Sequence, residues 1–363
     1  MKRVFCFSLI FLLAIGINST GFAASEKTVV WKYADYRPAT GAGHKLISGF
    51  FKELETRSDG RFKIQSHWGG ELGGAKELLP TVGSGVVDIA FTISLFYPGA
   101  LPLSYVTWLP FVSNSRVDTT SVAASELFET NKAIQKELDS HNVVGGGIWA
   151  EDVYDLVSMD PIRKAEDFKG KKVRCGTYHG EVLKKFGASR VSIPGPEIYG
   201  AMQTGLIDVH LHYVDCFHKY GTWELVKYFT RGIGMGAATA MFGINKDSWN
   251  ALPDDLKDIY RSVQKDLSLM SRSAFRDPER YGKQLELFKA KGIQFIEFPV
   301  AERNKLKEAA KSVWQEWAKS SGKPEVANEV LLRYNELLNK YKKKYPNGLP
   351  DSPKYPHVDI GSL

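Results

Sequence analysis

TVVWKYADYRPATGAGHKLISGFFKELETRSDGRFKIQSHW, residues 28–68, passes from strand to helix and back to strand. Its first residues are β-branched and alternate. Leu46, Ile47, Phe50, Phe51 and Leu54 then recur at helical spacing, and RFKIQSHW alternates again. GGAKELLPTVGSG predicts a helix over 73–85 and VVDIAFTI a third strand over 86–93. This βαβαβ rhythm predicts an α/β unit with a largely parallel sheet. A helix over 125–140 and strands over 142–150 and 153–158 follow. A second α/β block starts near Asp152, with strands over 171–176 and 206–213 and helices over 179–188 and 195–205. One more strand covers 237–245. Residues 253–291 read as mostly helical with a kink at Pro278, then comes a strand over 292–299 and two amphipathic helices, about 301–320 and 324–345. No internal repeat or low-complexity tract occurs. The fold class expected is α/β, a two-lobed clam-shell with mixed sheets, crossing strands and a long linking helix. A ligand belongs in its cleft, where strand ends of both lobes meet.

The ends of the chain narrow the function class. Lys2 and Arg3 precede an apolar run over 4–17 and the small-residue pattern Gly21-Phe22-Ala23, which reads as an export signal cleaved after Ala23 or Ala24. The run is shorter than the roughly 20 residues that span a bilayer, and Cys6 lies at its start, away from any lipid-attachment point. Loss of Lys2 and Arg3 takes the formal net charge from +7 to +5. Basic residues are scattered, YKKKY at 341–345 being the one dense run, so a solvated helix face fits better than nucleic-acid binding. Roughly 340 mature residues make two domains the default. Cys175 and Cys216 outlast the signal; a disulfide and two buried thiols are both open, and no zinc-type CxxC pair exists.

Residues 207–223, IDVHLHYVDCFHKYGTW, concentrate the titratable chemistry. His210 and His212 fall on one strand face, so zinc with Asp215 or His218 is one reading, but no second cluster supports it. Cys216 as a nucleophile lacks a framing base or oxyanion motif. Arg174 ends a short strand; its planar guanidinium can grip a carboxylate through two parallel bonds, and its bland alternative is a surface salt bridge. No phosphate-loop or dinucleotide motif is present, and no cofactor is called for.

Three segments resemble the solute-binding proteins of tripartite ATP-independent periplasmic (TRAP) transporters, the DctP type. They are GGELGGAKELLPTVGSGVVDIAFT at 69–92, DFKGKKVRCG at 167–176 and EIYGAMQTGLIDVHL at 197–211, in matching order and spacing. The resemblance covers nearly the whole mature chain. It implies two α/β lobes, lobe I over 24–150 plus about 239–281 and lobe II over about 151–238 plus 282–363. It implies that Arg174 clamps a ligand carboxylate. Tyr154 stands where many members carry a second cleft arginine, which implies a ligand with one acidic group. His212 replaces a family asparagine as a hydrogen-bond donor, with Tyr213 beside it as polar wall. Glu151 is either a cleft residue favouring an amine or hydroxyls, or part of a solvated acidic turn. From the other lobe the loops after the first and third strands are expected to bring Tyr36, Arg37, Thr92 and Ser94, with Phe96, Tyr97 and Trp149 as aromatic walls. Some relatives bridge their anion through a cation, for which Asp215 is the candidate, though no metal is assigned.

The implied function is a monomeric extracytoplasmic receptor, not an enzyme. It captures a small organic anion in the periplasm and hands it to the small and large TRAP membrane subunits, with transport driven by an ion gradient. The alternatives are a receptor for an ABC importer or sensor kinase, and a periplasmic hydrolase or metalloenzyme built on the His/Cys/Asp stretch.

Overall fold

The computed structural model describes residues 28–113, 116–350, 352 and 355; the export-signal reading at residues 1–23 lies outside them. β1 (Val29–Ala34), α1 (Gly41–Arg57), β2 (Phe62–His67), α2 (Leu78–Gly83) and β3 (Ile89–Thr92) carry out the βαβαβ pattern. β2 and β3 both pair parallel to β1. α1 buries Leu46, Ile47, Phe50, Phe51 and Leu54, the residues whose spacing predicted it. Each such large apolar side chain contributes about 1.5–3 kcal/mol on full burial. α2 is shorter than the expected 73–85, because turns occupy most of the preceding GGELGGA stretch.

The helix expected over 125–140 is two helices, α3 (Val117–Thr130) and α4 (Lys132–Asp139). Asn131 breaks it: its side chain accepts from the backbone N–H of Ala133 and Ile134 and so starts a new helix. β4 (Val143–Val153) is a single long edge strand of the first sheet, which with β10 (Ala237–Asn245) is ordered β2-β1-β3-β10-β4. It passes through Tyr154 directly into β5 (Asp155–Ser158) of the second sheet. That sheet gathers β6 (Lys172–Arg174), β7 (Ser189–Val191), β8 (Val209–His212) and β9 (Tyr228–Arg231), with α5 (Thr177–Lys184), α6 (Ile198–Gln203) and α7 (Val214–Lys219) between them. With β11 (Gln294–Glu297) at its edge, its order is β11-β9-β5-β8-β6-β7. β7 and β9 are too short to have been recognised from alternation.

β10 (Ala237–Asn245) returns to the first sheet and runs antiparallel to β3 and β4. The recrossing segment contains Gly232, Gly234 and Gly236, all at positive φ, a backbone that only glycine adopts without strain. α8 (Lys246–Ala251), α9 (Asp254–Gln264) and α10 (Leu267–Phe275) pack on the first lobe, whereas α11 (Pro278–Ala290) packs on α7. The long linking helix is thus a succession of helices. Pro278 opens a new one, with Asp277 capping the N–H of Arg280, and does not kink an old one. β11 (Gln294–Glu297) completes the second sheet; α12 (Val300–Ser320) lies against α5, and α13 (Pro324–Lys344) folds back onto α3. No helix among the described residues is long and apolar enough to cross a membrane.

Asp155 sits buried at the start of β5, where its Oδ1 accepts from the N–H of Gly232 at 2.9 Å, tying two of the crossings together. Burial pushes its carboxyl up to about 7, with Asp152 adding to the rise and the Gly232 N–H and Arg231 opposing it. A folded-state value above the unfolded one means that the folded protein holds the extra proton. Stability is then fully present below about pH 4 and is lost as pH rises through 7. Asp155→Asn keeps an acceptor for Gly232 and removes the charge. Thermal melts are expected to show it several degrees more stable than wild type at pH 8 and equal to it near pH 4. An equal shift at both pH values would refute the assignment.

Candidate functional site

The C-terminal ends of strands from both sheets converge on one cleft. Tyr36 and Arg37 follow β1; Ile93, Leu95 and Phe96 follow β3; Glu151 lies in β4. Arg174 ends β6, His212 ends β8, and Tyr213, Cys216, Lys219 and Tyr220 come with α7. With Trp108 these residues line a nearly closed cleft of about 20 Å³.

Arg174 is 7% exposed. It sits opposite His210 in the parallel β6–β8 register, and Nε and Nη2 both donate to the carbonyl of Ile193 at 3.3 Å. It has no acidic partner among the described residues, so the salt-bridge alternative fails. A guanidinium with this much burial is costly unless an anion meets it. Lys219 on α7 likewise has no acidic partner among the described residues; its Nζ rests over the Tyr220 ring, 5.1 Å from the centroid.

The first-lobe wall is the opposite case, fully paired. Arg37 donates from Nη2 to Asp35 at 2.9 Å and from Nη1 to Glu151 at 2.9 Å, and its guanidinium lies 3.3 Å from the Phe91 ring centroid. Asp35 also accepts from the hydroxyl of Tyr33 at 2.7 Å. The other Glu151 oxygen accepts from the Tyr213 hydroxyl at 2.6 Å, a charge-assisted bond across the cleft. Glu151 is therefore a cleft residue and not a solvated turn, but both its oxygens are engaged.

The HLHYVDCFH cluster does not converge. His210 is buried toward Phe217 and Thr222, with Nδ1 at 3.1 Å from the Thr222 hydroxyl. His212 faces the cleft, and its Nδ1 is buried without a partner. Asp215 turns away: it accepts from the N–H of Ala42 at 3.2 Å, from Gln284 at 3.3 Å and from Arg280. Gly41 has φ +77, and a Cβ there would stand 2.9 Å from Asp215 Oδ2, so the close approach requires glycine. His218 stacks on Phe288 and Trp223. Among the described residues no three His, Cys, Asp or Glu side chains are grouped to hold a metal. Burial, reinforced by Arg174, holds His210 and His212 well below the ordinary imidazole range, so both are neutral at pH 7. Cys175 and Cys216 are separate buried thiols. Burial pushes each up to about 12, far from a reactive thiolate.

Of the residues picked from the sequence, Arg174, His212, Tyr213, Glu151, Tyr36 and Arg37 are brought together, with Phe96. Tyr154 is buried behind them, edge-on to His212 at 5.6 Å and His179 at 5.0 Å. Thr92 and Ser94 do not reach this cleft: their hydroxyls donate to the carbonyls of Met241 and Ser104, and they line a small neighbouring void. Tyr97 donates to the carbonyl of Ala75, and Trp149 packs between Phe91 and Phe242. Lys219, Tyr220 and Trp108 were missed. The signal for the first two was present, since Cys216, Lys219 and Tyr220 share a helix face at spacings of three and four. A larger groove of about 490 Å³ lies outside, among Phe128, Lys132, Lys136 and Gln264. It holds no buried unpaired charge, so the chemistry singles out the cleft.

Comparisons agree with this architecture. Residues 33–320 match the family model DctP, bacterial extracellular solute-binding protein, family 7. A monocarboxylate 2-oxoacid-binding periplasmic protein of Nostoc sp. is 26% identical over 325 residues, 83% of this chain and 86% of that protein. A TRAP periplasmic solute-binding protein of Desulfovibrio salexigens, in an open form, is 25% identical with a TM-score of 0.74, covering 88% of this chain and 98% of that one. A TRAP solute-binding protein of Rhodoferax ferrireducens, in complex with copurified benzoate, is 22% identical with a TM-score of 0.77, covering 87% and 99%. The chain belongs to the DctP family of bacterial extracellular solute-binding proteins, the two-lobed receptors that bind small organic ligands and work with TRAP membrane subunits.

Proposed function

We propose that this receptor is exported, its signal removed after residue 23 or 24, and acts as a periplasmic monomer that captures one small monocarboxylate on Arg174. The observation carrying this reading is the buried guanidinium with no acid beside it among the described residues. His212, Tyr213 and Tyr36 complete the ligand's surroundings, and Glu151 orients Tyr213. The binding named for the Nostoc relative, and the benzoate held by the R. ferrireducens protein, support a carboxylate. Lobe I is residues 29–153 with 237–275, and lobe II residues 155–231 with 278–297.

Capture works by closure. A ligand that touches both lobes stabilises the closed state over the open one by its differential contacts. The Tyr213–Glu151 and Asp215–Ala42 bonds join the lobes here and break whenever they part. The closed form is the signal read by the small and large membrane subunits. Mass spectrometry of the protein, purified natively from its exported fraction, is expected to find one small carboxylic acid per chain. Its removal is expected to raise the radius of gyration in small-angle scattering. A scattering profile unaffected by removing and restoring that acid would sink the reading.

A further inference from the structure

The cleft's charge balance narrows the ligand further, on the footing of the receptor reading above. On the first-lobe wall Arg37 is outnumbered by Asp35 and Glu151, which leaves one surplus negative charge. On the second-lobe wall Arg174 and Lys219 have no acid against them, while Asp215 is neutralised by Arg280 outside the cleft. The two walls together carry one surplus positive charge. A monoanion balances it and a dianion overshoots. Yet two separate cations face the space, and each needs an acceptor once water is expelled.

We infer that Lys219 is a specificity-determining residue that binds a second, uncharged oxygen of the ligand, so that the cleft selects monocarboxylates bearing an oxo or hydroxyl group. Arg174 takes the carboxylate through its fork, and the flexible ammonium of Lys219 takes the neutral oxygen. Tyr36, Phe96, Trp108 and Tyr220 supply the apolar part of the cleft wall. Lys219 lines the cleft together with Tyr36, His212 and Cys216, and its ammonium rests over the ring of Tyr220, another wall residue.

The test uses the full mature chain, freed of bound ligand, and three probes of matched length: butyrate, 2-oxobutyrate and succinate. Calorimetry is expected to show 2-oxobutyrate binding wild type at least tenfold more tightly than butyrate. In Lys219→Met both acids lose some affinity with the charge, and the gap closes because 2-oxobutyrate loses more than butyrate. Thermal melts of the unliganded proteins control for folding, and Lys219→Arg is expected to restore part of the gap. A gap that survives in Lys219→Met, or a wild type that prefers succinate, overturns the assignment. Binding of none of the three probes also overturns it, while the receptor reading stands or falls separately on the copurified acid and its scattering response.

Discussion

Arg174→Lys is expected to weaken ligand binding at least tenfold, and Arg174→Ala to abolish it at millimolar ligand, with the fold intact in both. A charge-assisted bond contributes about 1.5–3 kcal/mol, and the guanidinium offers two in one plane. Lysine keeps the charge but loses the fork and the reach to Ile193. Stability should move the other way from binding. Arg174 has no acid among the described residues, so its removal strands no partner charge and relieves the desolvation of a buried cation. Unliganded Arg174→Ala is therefore expected to melt at or slightly above the wild-type temperature. The separation of effects is the diagnostic, since a merely structural arginine would lose stability and binding together. Wild-type affinity in Arg174→Lys, or a drop of several degrees in unliganded Arg174→Ala, would remove it from the ligand's grip.

Much of this site was legible because strand ends are legible. Arg174 and His212 both close short parallel strands that lead into helices, and the cleft of an open α/β fold lies at such ends. Side-chain direction just beyond a strand is another matter. Thr92 and Ser94 stand at the end of β3 as Tyr36 does after β1, but their short hydroxyls find backbone carbonyls within the lobe and stop there. Lys219 was hidden because α7 reads as part of the histidine cluster until its helical face is drawn. The state of Glu151 was not readable at all. Its partner Arg37 lies 114 residues away in sequence, and nothing local announces a pair that only the sheet order brings together. The stretch over 253–291 is mostly helical as expected, but the kink at Pro278 failed for a local reason: Asp277 and Pro278 form a cap and a first-turn proline, a start signal taken for a kink.

Arg37→Met should be the most destabilising single change at the cleft, by about 3–5 kcal/mol, the usual cost of leaving a buried charge without its partner. Methionine fills the volume over Phe91 but leaves Asp35 and Glu151 facing one another with only Tyr33, Tyr213 and a backbone N–H to hold them. Two unpaired buried carboxylates would titrate upward in the variant, by desolvation and mutual repulsion. With folded values raised above unfolded ones, the folded variant gains stability as pH falls, so the deficit should shrink between pH 8 and pH 5. A second change identifies the cause. Arg37→Met combined with Glu151→Gln removes one of the two stranded charges and should recover a good part of the loss, a coupling that independent sites would not show. Urea titrations of the four proteins at both pH values measure it. Additive losses with no pH dependence would mean that Arg37 acts by packing on Phe91 alone. The function follows the same wiring: Glu151 holds the Tyr213 hydroxyl across the lobes only while Arg37 fixes its other oxygen. The same substitution should therefore weaken closure on the ligand even where the fold survives.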